Sequence, residues 1–158
     1  MSDAEDWGRL QQEESVRQHL AWPQRSREES RRHLRARTRH TRLMQADDFL
    51  ALAIEKDGQV IGDVSLHLRS IAPELRTAEI GWIIHPHHGG RGYATEASMA
   101  AARIAFDSLQ ARLLAAVIRP ANRRSRALAE RLGFTEISRT AETVVMMLSA
   151  DEFRRRSS

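Results

Sequence analysis

The chain reads as a single α/β domain of the α+β kind, with a mixed, mostly antiparallel sheet. Three observations lead there. The first is size: 158 residues, 41% hydrophobic and 29% charged, fit one core and not two. The second is order: strand-length apolar runs and helix-like segments follow one another as two helices, three strands, a helix, a strand, a helix and two strands. The third is a strand, a glycine-rich turn, a helix and a buried strand in succession. Such a crossover is right-handed and joins a locally parallel pair. Short connections elsewhere make the remaining pairs antiparallel.

Residues 1–15 are polar and lack a clear period, so they are expected to be a poorly ordered lead-in to a domain spanning 16–150. Ser15–Leu20 suits a short helix, and Trp22-Pro23 enforces an extended or turn conformation after it. Ser26 followed by Glu28 and Glu29 is a helix start, a hydroxyl cap with acids in the first turn. That helix is expected to run to about Thr41 and to pack lightly, through Leu34 and Ala36. Phe49–Ile54 is a strand, Lys56-Asp57-Gly58-Gln59 a hairpin turn, and Val60–Leu68 the return strand. Gly62 within it signals a bulge or a close approach. After a loop with Pro73, Thr77–Ile84 is a third strand, ended by Pro86. A helix from Ala94 to about Leu109 follows the glycine turn, then Leu113–Ile118, an all-apolar strand of the buried type. Ser125–Leu132 is a helix stopped by Gly133. Phe134–Ser138 and Thr143–Leu148 are the last strands. Residues 151–158 form a basic tail, expected to be disordered from Arg154 onward.

Composition removes several function classes. No apolar run reaches the ~18 residues of a membrane span, and the acidic N-terminus has no apolar core of a secretion signal. A cytoplasmic protein is expected. The absence of cysteine excludes disulfide scaffolds, thiolate zinc and cysteine nucleophiles. Of 25 basic residues 24 are Arg, Lys56 being the exception, against 21 acids, for a net charge of +4. Arginine is scattered beside Glu and Asp along the whole chain, as a GC-rich coding bias would leave it. The densest stretch, Arg25–Arg42, holds eight Arg but no interleaved aromatics. Single-stranded nucleic acid is gripped by stacking, so a nucleic-acid partner is not expected.

Chemistry concentrates in Ile83-Ile-His-Pro-His-His-Gly-Gly-Arg-Gly-Tyr-Ala-Thr-Glu-Ala97. A strand delivers the chain to a glycine turn and a helix starts at once. Backbone N–H groups and the helix N-terminus then make an anion site suited to phosphate or pyrophosphate. A plain surface loop is the alternative. The turn is not a Walker A loop, because Gly92 is followed by Tyr93-Ala94. It is not the dinucleotide fingerprint either, because Thr95 stands at its third glycine and the strand at 113–118 ends in Arg119. His85, His87 and His88 crowd this turn, but with no matching carboxylate pattern no metal is expected. His67 alternates with Leu66 and Leu68 and reads as a solvated strand histidine.

Pro86-x-x-Gly-Gly-Arg-Gly-Tyr-Ala-Thr-Glu-Ala resembles the acetyl-CoA-binding motif of the GCN5-related N-acetyltransferase (GNAT) superfamily, and its Gly-x-Gly-Tyr-Ala-Thr-Glu-Ala form resembles the RimJ/RimL branch, which acetylates N-terminal amines of ribosomal proteins. Further matches lie in order: Leu20-Ala-Trp-Pro, Val60-Ile-Gly, Ala78-Glu-Ile-Gly-Trp82, and Asn122-x-x-Ser125 before Gly133-Phe134. Together they span about 16–148. The resemblance implies the GNAT acyl-CoA fold, a mixed sheet with a splayed parallel central pair and helices on both faces. Two departures stand out. Gly89 occupies a position often held by Gln or Arg. The family's opening strand has no counterpart among the first fifteen residues, so that strand is missing or replaced.

The resemblance implies transfer of the acetyl group of acetyl-CoA, a cosubstrate, to a primary amine in a ternary complex. The alternative is a GNAT-fold module that binds the acyl-CoA without catalysis. The backbone at Ile83, Ile84 and His85 would pair with the pantetheine arm, and Gly89, Gly90, Arg91, Gly92, Tyr93, Ala94 and Thr95 would hold the pyrophosphate. Arg119, Arg123 and Arg124 lie near enough for the cofactor's other phosphate. Asn122 would bond the pantetheine; otherwise it is a turn residue. Glu79 is the candidate base, or else a salt-bridged strand residue. Ser125 is the candidate donor to the leaving thiolate, or else a helix N-cap. Many relatives use a tyrosine where this chain has Ala129. The acceptor, a protein N-terminus or a small-molecule amine, and the choice between monomer and homodimer stay open.

Overall fold

The computed structural model describes residues 3–20 and 23–157; Trp22, half of the expected Trp-Pro turn, lies outside them. Strands β1 (Phe49–Lys56), β2 (Gln59–Ser70) and β3 (Thr77–Ile84) form an antiparallel meander. Strand β4 (Leu113–Ile118) lies parallel to β3. Strands β5 (Thr135–Arg139) and β6 (Val144–Ser149) complete a six-stranded sheet ordered β1-β2-β3-β4-β6-β5. This is the mixed, mostly antiparallel sheet expected. Among the described residues no strand precedes Phe49, so β1 is an edge. No helix among them is long and apolar enough to cross a membrane.

The β1–β2 turn puts Asp57 and Gly58 at φ of 52° and 77°, the left-handed pair that a two-residue hairpin needs. The register slips between Ile54 and Glu55, opposite Gly62 and Val60, so a bulge sits where Gly62 was expected to mark one. The close approach is real as well: a Cβ on Gly62 would stand 2.2 Å from the Ile83 carbonyl oxygen.

The main core lies on one face. Val64, Leu66, Ala78, Ile80, Leu114, Ala116, Val144, Met146 and Leu148 point there by strand alternation. Against them pack α4 (Tyr93–Arg103), its π-helical continuation Ile104–Ser108, and α5 (Arg123–Leu132). Alanines at 101, 102, 105 and 129 are at most 1% exposed; their small side chains let the helices sit close to the sheet.

The opposite face carries α1 (Asp3–Gln12), α2 (Glu14–Arg17) and α3 (Arg27–Arg37). Here one expectation is corrected for the described part of the lead-in. Residues 3–15 are not poorly ordered: α1 buries Trp7 and Leu10 to 3% and 1% exposure, in a cluster with Val16, Leu34 and Ile83. Two large apolar residues three apart are too few to show a period, but they suffice when a sheet face receives them. The tail is corrected too. α6 (Ala150–Ser157) is a helix whose Phe153 packs its ring 4.9 Å from that of Phe106. α3 stops at Arg37, short of Thr41, and buries Ser30 and Leu34, while Ala36 is exposed. Its start is as expected: Ser26 Oγ accepts from Glu29 N at 3.2 Å and Ser26 N donates to Glu29 Oε2 at 2.7 Å.

Candidate active site

β3 and β4 pair only at Thr77–Leu113, Ala78–Leu114 and Glu79–Ala115. Past Glu79 they part, β3 staying with β2 as far as Ile84 and β4 with β6 as far as Ile118. A cavity of about 1080 Å³ opens in the gap. Helices of both faces line it: α2 and residues 18–20 on one side, α4 and α5 on the other. The parallel pair is splayed, and the gap crosses the sheet.

The free edge of β3 offers backbone groups to this gap, but not at all the expected residues. His85 N donates to Ile61 O at 2.7 Å, toward β2. Peptide groups alternate along a strand, so those of Ile83 also face β2, as its register with Asp63 shows. Of the expected Ile83, Ile84 and His85, only Ile84 therefore turns its peptide groups into the gap, and Trp82 joins it. The His85 side chain does not line the cavity and is held by local contacts. Its Nδ1 accepts from His87 N at 3.3 Å, and its Nε2 lies 3.4 Å from Glu13 Oε1. Among the described residues no group of three His, Cys, Asp or Glu is placed to hold a metal ion.

Beyond a short 3-10 turn at Pro86–His88 comes the glycine turn. Gly90 and Gly92 have φ of 75° and 88°, with nothing within 4 Å of where a Cβ would stand. Glycine is needed there for its backbone, not for space. Gly92 caps α4, whose first bond runs from Glu96 N to Gly92 O at 2.9 Å. The N–H groups of Tyr93, Ala94 and Thr95 precede that bond and have no carbonyl in the helix to reach. Gly89, Gly90, Gly92, Tyr93, Ala94 and Thr95 all line the cavity, so the turn presents a row of donors and a helix N-terminus to it. The exposed Arg91 side chain does not line it; Arg123, Arg124 and Arg131 of α5 do, and Arg119 does not. Arg131 lies seven residues from Arg124, on the same helix face, which the chain order alone did not single out.

Asn122 is the N-cap of α5: its Oδ1 accepts from Ser125 N at 3.1 Å. The helix thus starts at Arg123, and Ser125 is not its cap. Ser125 Oγ accepts from Trp82 Nε1 at 3.2 Å instead, and both residues line the cavity. Asn122 keeps its amide N–H groups for another partner. Ala129 is fully buried in the main core.

Glu79 is the last β3 residue paired to β4, and it projects to the face opposite the main core. It does not line the cavity. Arg69 holds its carboxylate, Nε and Nη2 each 3.0 Å from Oε2, and Arg69 also lies 3.4 Å from Asp47. His67 stands beside Glu79 on β2, half-buried with its ring tilted against that of Phe49 at 4.5 Å between centroids, so it is not the freely solvated histidine expected. Four residues before His67 on β2, Asp63 is buried and bonded to Arg37 at 2.9 Å. Arg37 lies 5.0 Å from the Trp7 ring centroid and 4.7 Å from that of Phe49. Burial pushes Asp63 from 3.8 up to about 6 against the pull of Arg37, and burial lowers Arg37 as well. The one signal for Asp63 in the sequence was its alternation with Ile61, on a strand whose two faces are both covered.

Residues 1–135 match the family model for the acetyltransferase (GNAT) domain. A curated relative, "Putative ribosomal N-acetyltransferase YdaF" of Bacillus subtilis, is 36% identical over 80 residues; the match covers 51% of this chain and 43% of the relative, so less than half of that protein's length is matched. Among solved structures, spermidine N-acetyltransferase of Vibrio cholerae with CoA and spermine superposes with a TM-score of 0.77 at 19% identity, covering 96% of this chain and 92% of that one. Mycobacterium smegmatis RimJ with CoA-disulfide gives a TM-score of 0.74 at 22% identity, covering 95% and 78%. An acetyltransferase of Agrobacterium tumefaciens gives 0.69 at 26% identity, covering 94% and 85%. Identities this low speak for the fold, whereas the family model spans most of the sequence. The chain with the splayed β3–β4 pair and the glycine turn belongs to the GNAT acetyltransferase domain family.

Proposed function

We propose that this protein transfers the acetyl group of acetyl-CoA to a primary amine, a protein N-terminus or a small-molecule amine, by direct attack in a ternary complex. The observation that carries this reading is the gap through the sheet with a cradle of backbone donors at one end. Glu79 stands outside the cavity lining, at the last pair before the strands part. The N–H groups from Gly90 to Thr95 suit a pyrophosphate. Trp82 and Ile84 offer the peptide edge that an extended pantetheine arm would join as an added strand, and the Asn122 amide can donate to it. Acetyl-CoA supplies an activated thioester.

An amine attacks only when neutral, so the incoming ammonium must lose a proton. Glu79, outside the cavity lining and paired with Arg69, accepts it through water on the α1–α3 face. Ser125 donates a hydrogen bond toward the departing sulfur. Arg37 and Arg69 neutralise Asp63 and Glu79, the acids that β2 and β3 turn to this side. That balance suits an acceptor with one amine better than a polycation.

Calorimetry with CoA and acetyl-CoA, followed by thiol release with a panel of amines and peptides, tests the reading. Micromolar binding and amine-dependent release are expected. No binding at millimolar cofactor refutes it, and binding without release from any amine leaves a binding module. Glu79→Gln should lower turnover at least tenfold while CoA affinity stays within about twofold; unchanged turnover removes Glu79 from the reaction.

A further inference from the structure

We propose that Trp82 is a positioning residue, which orients the Ser125 hydroxyl toward the leaving sulfur; this rests on the acetyl-transfer reading above. The two side chains meet across the gap, from β3 on one wall to α5 on the other, with Trp82 Nε1 donating to Ser125 Oγ at 3.2 Å. An indole N–H can only donate, whereas a hydroxyl has one hydrogen and two lone pairs. With one lone pair taken, the Ser125 hydrogen is turned away from Trp82. The serine is fixed on its other side as well, since its N–H donates to Asn122 Oδ1 at 3.1 Å. Trp82 itself is packed against the main core, so its N–H is aimed from a rigid mount.

The chemistry gives this arrangement a purpose. As the C–N bond forms, the C–S bond breaks and its electron pair goes to sulfur. The ammonium proton leaves toward Glu79 or water, and the sulfur receives one through Ser125, which regains its own from solvent. A serine hydroxyl is a weak acid. A donor fixed on Oγ stabilises the negative charge that grows there as its hydrogen shifts toward sulfur. Trp82 neither gives nor takes a proton.

Trp82→Phe keeps an aromatic ring and removes the N–H. It should lower kcat about tenfold, the effect of one neutral hydrogen bond, with KM for acetyl-CoA and the calorimetric Kd for CoA within about twofold. The double variant with Ser125→Ala should be no slower than Ser125→Ala alone. A second readout uses the protein without cosubstrate. In a 1H–15N spectrum, the indole resonance that vanishes in Trp82→Phe should move in Ser125→Ala and return toward its original position in Ser125→Thr. Full kcat in Trp82→Phe, losses that multiply in the double variant, or an indole resonance indifferent to Ser125→Ala would each overturn the proposal. A wild-type protein that binds CoA but releases no thiol with any amine fails the acetyl-transfer reading instead. The role of Trp82 then goes with it, while the spectrum still reports whether the bond exists.

Discussion

Replacing Arg37 by methionine separates charge from packing in the buried pair on the α1–α3 face. Arg37 and Asp63 are 2.9 Å apart, with side chains only 13% and 7% exposed. Methionine keeps an apolar stem between Trp7 and Phe49 and removes the guanidinium. A buried carboxylate stripped of its partner costs about 3–5 kcal/mol. That cost must depend on pH, because Asp63 can escape it by taking up a proton. In the intact pair burial already holds Asp63 at about 6 instead of 3.8. Between those values the folded protein binds more protons than the unfolded chain, so this group's contribution to stability falls as pH rises. Without Arg37 the folded value climbs further. Urea denaturation of wild type, Arg37→Met and Arg37→Met/Asp63→Leu at pH 5 and pH 8 measures the effect. The single variant should lose about 3–5 kcal/mol at pH 8 and less than half of that at pH 5. The double variant should lie within about 1 kcal/mol of wild type at both, since an apolar replacement of a buried pair is close to neutral. His33, held down to about 4 chiefly by burial, has the opposite slope in this range; it is present in all three proteins and mostly cancels in the differences. An equal loss at both pH values, or a double variant as unstable as the single, refutes the argument that the desolvated charge sets the cost.

Three further outcomes follow from geometry. Gly62→Ala places a methyl 2.2 Å from the Ile83 carbonyl oxygen; backbone must move, and denaturation should show a loss of about 1–3 kcal/mol or more. Trp7→Ala empties the α1 contact with the sheet and should cost about 3–5 kcal/mol; a change below 1 kcal/mol would return the N-terminal helix to the status of an appendage. Gly92→Ala has open space but must hold φ near 88°, so stability should fall by only about 1–2 kcal/mol. Calorimetric CoA affinity should drop at least tenfold, because the N–H groups of the turn are displaced.

How much of the site was legible depends on what kind of signal each residue carried. The glycine turn was readable because its constraint is local: Gly90 and Gly92 need positive φ whatever surrounds them. Ser26 was readable as a cap because the capping box closes within three residues. Ser125 was not, since the cap fell to Asn122 and the serine's partner lies 43 positions away on Trp82. The backbone roles given to Ile83 and His85 failed for a related reason. Which peptide groups face the gap depends on the register with β2, and one residue of register reverses the answer.

The sequence by itself determined the order of elements from α2 to β6, the parallel β3–β4 crossover and the donor-lined turn. Each rests on period-2 alternation, glycine freedom or helix-start chemistry, and all of these act over a few residues. Only the tertiary structure decided that α1 and α6 are packed helices and that Arg37 and Asp63 share a buried pair. The same holds for the placing of Glu79 under Arg69 and of Ser125 under Trp82. Those outcomes depend on which faces meet, and burial turns a weak local preference or a lone charge into a fixed contact.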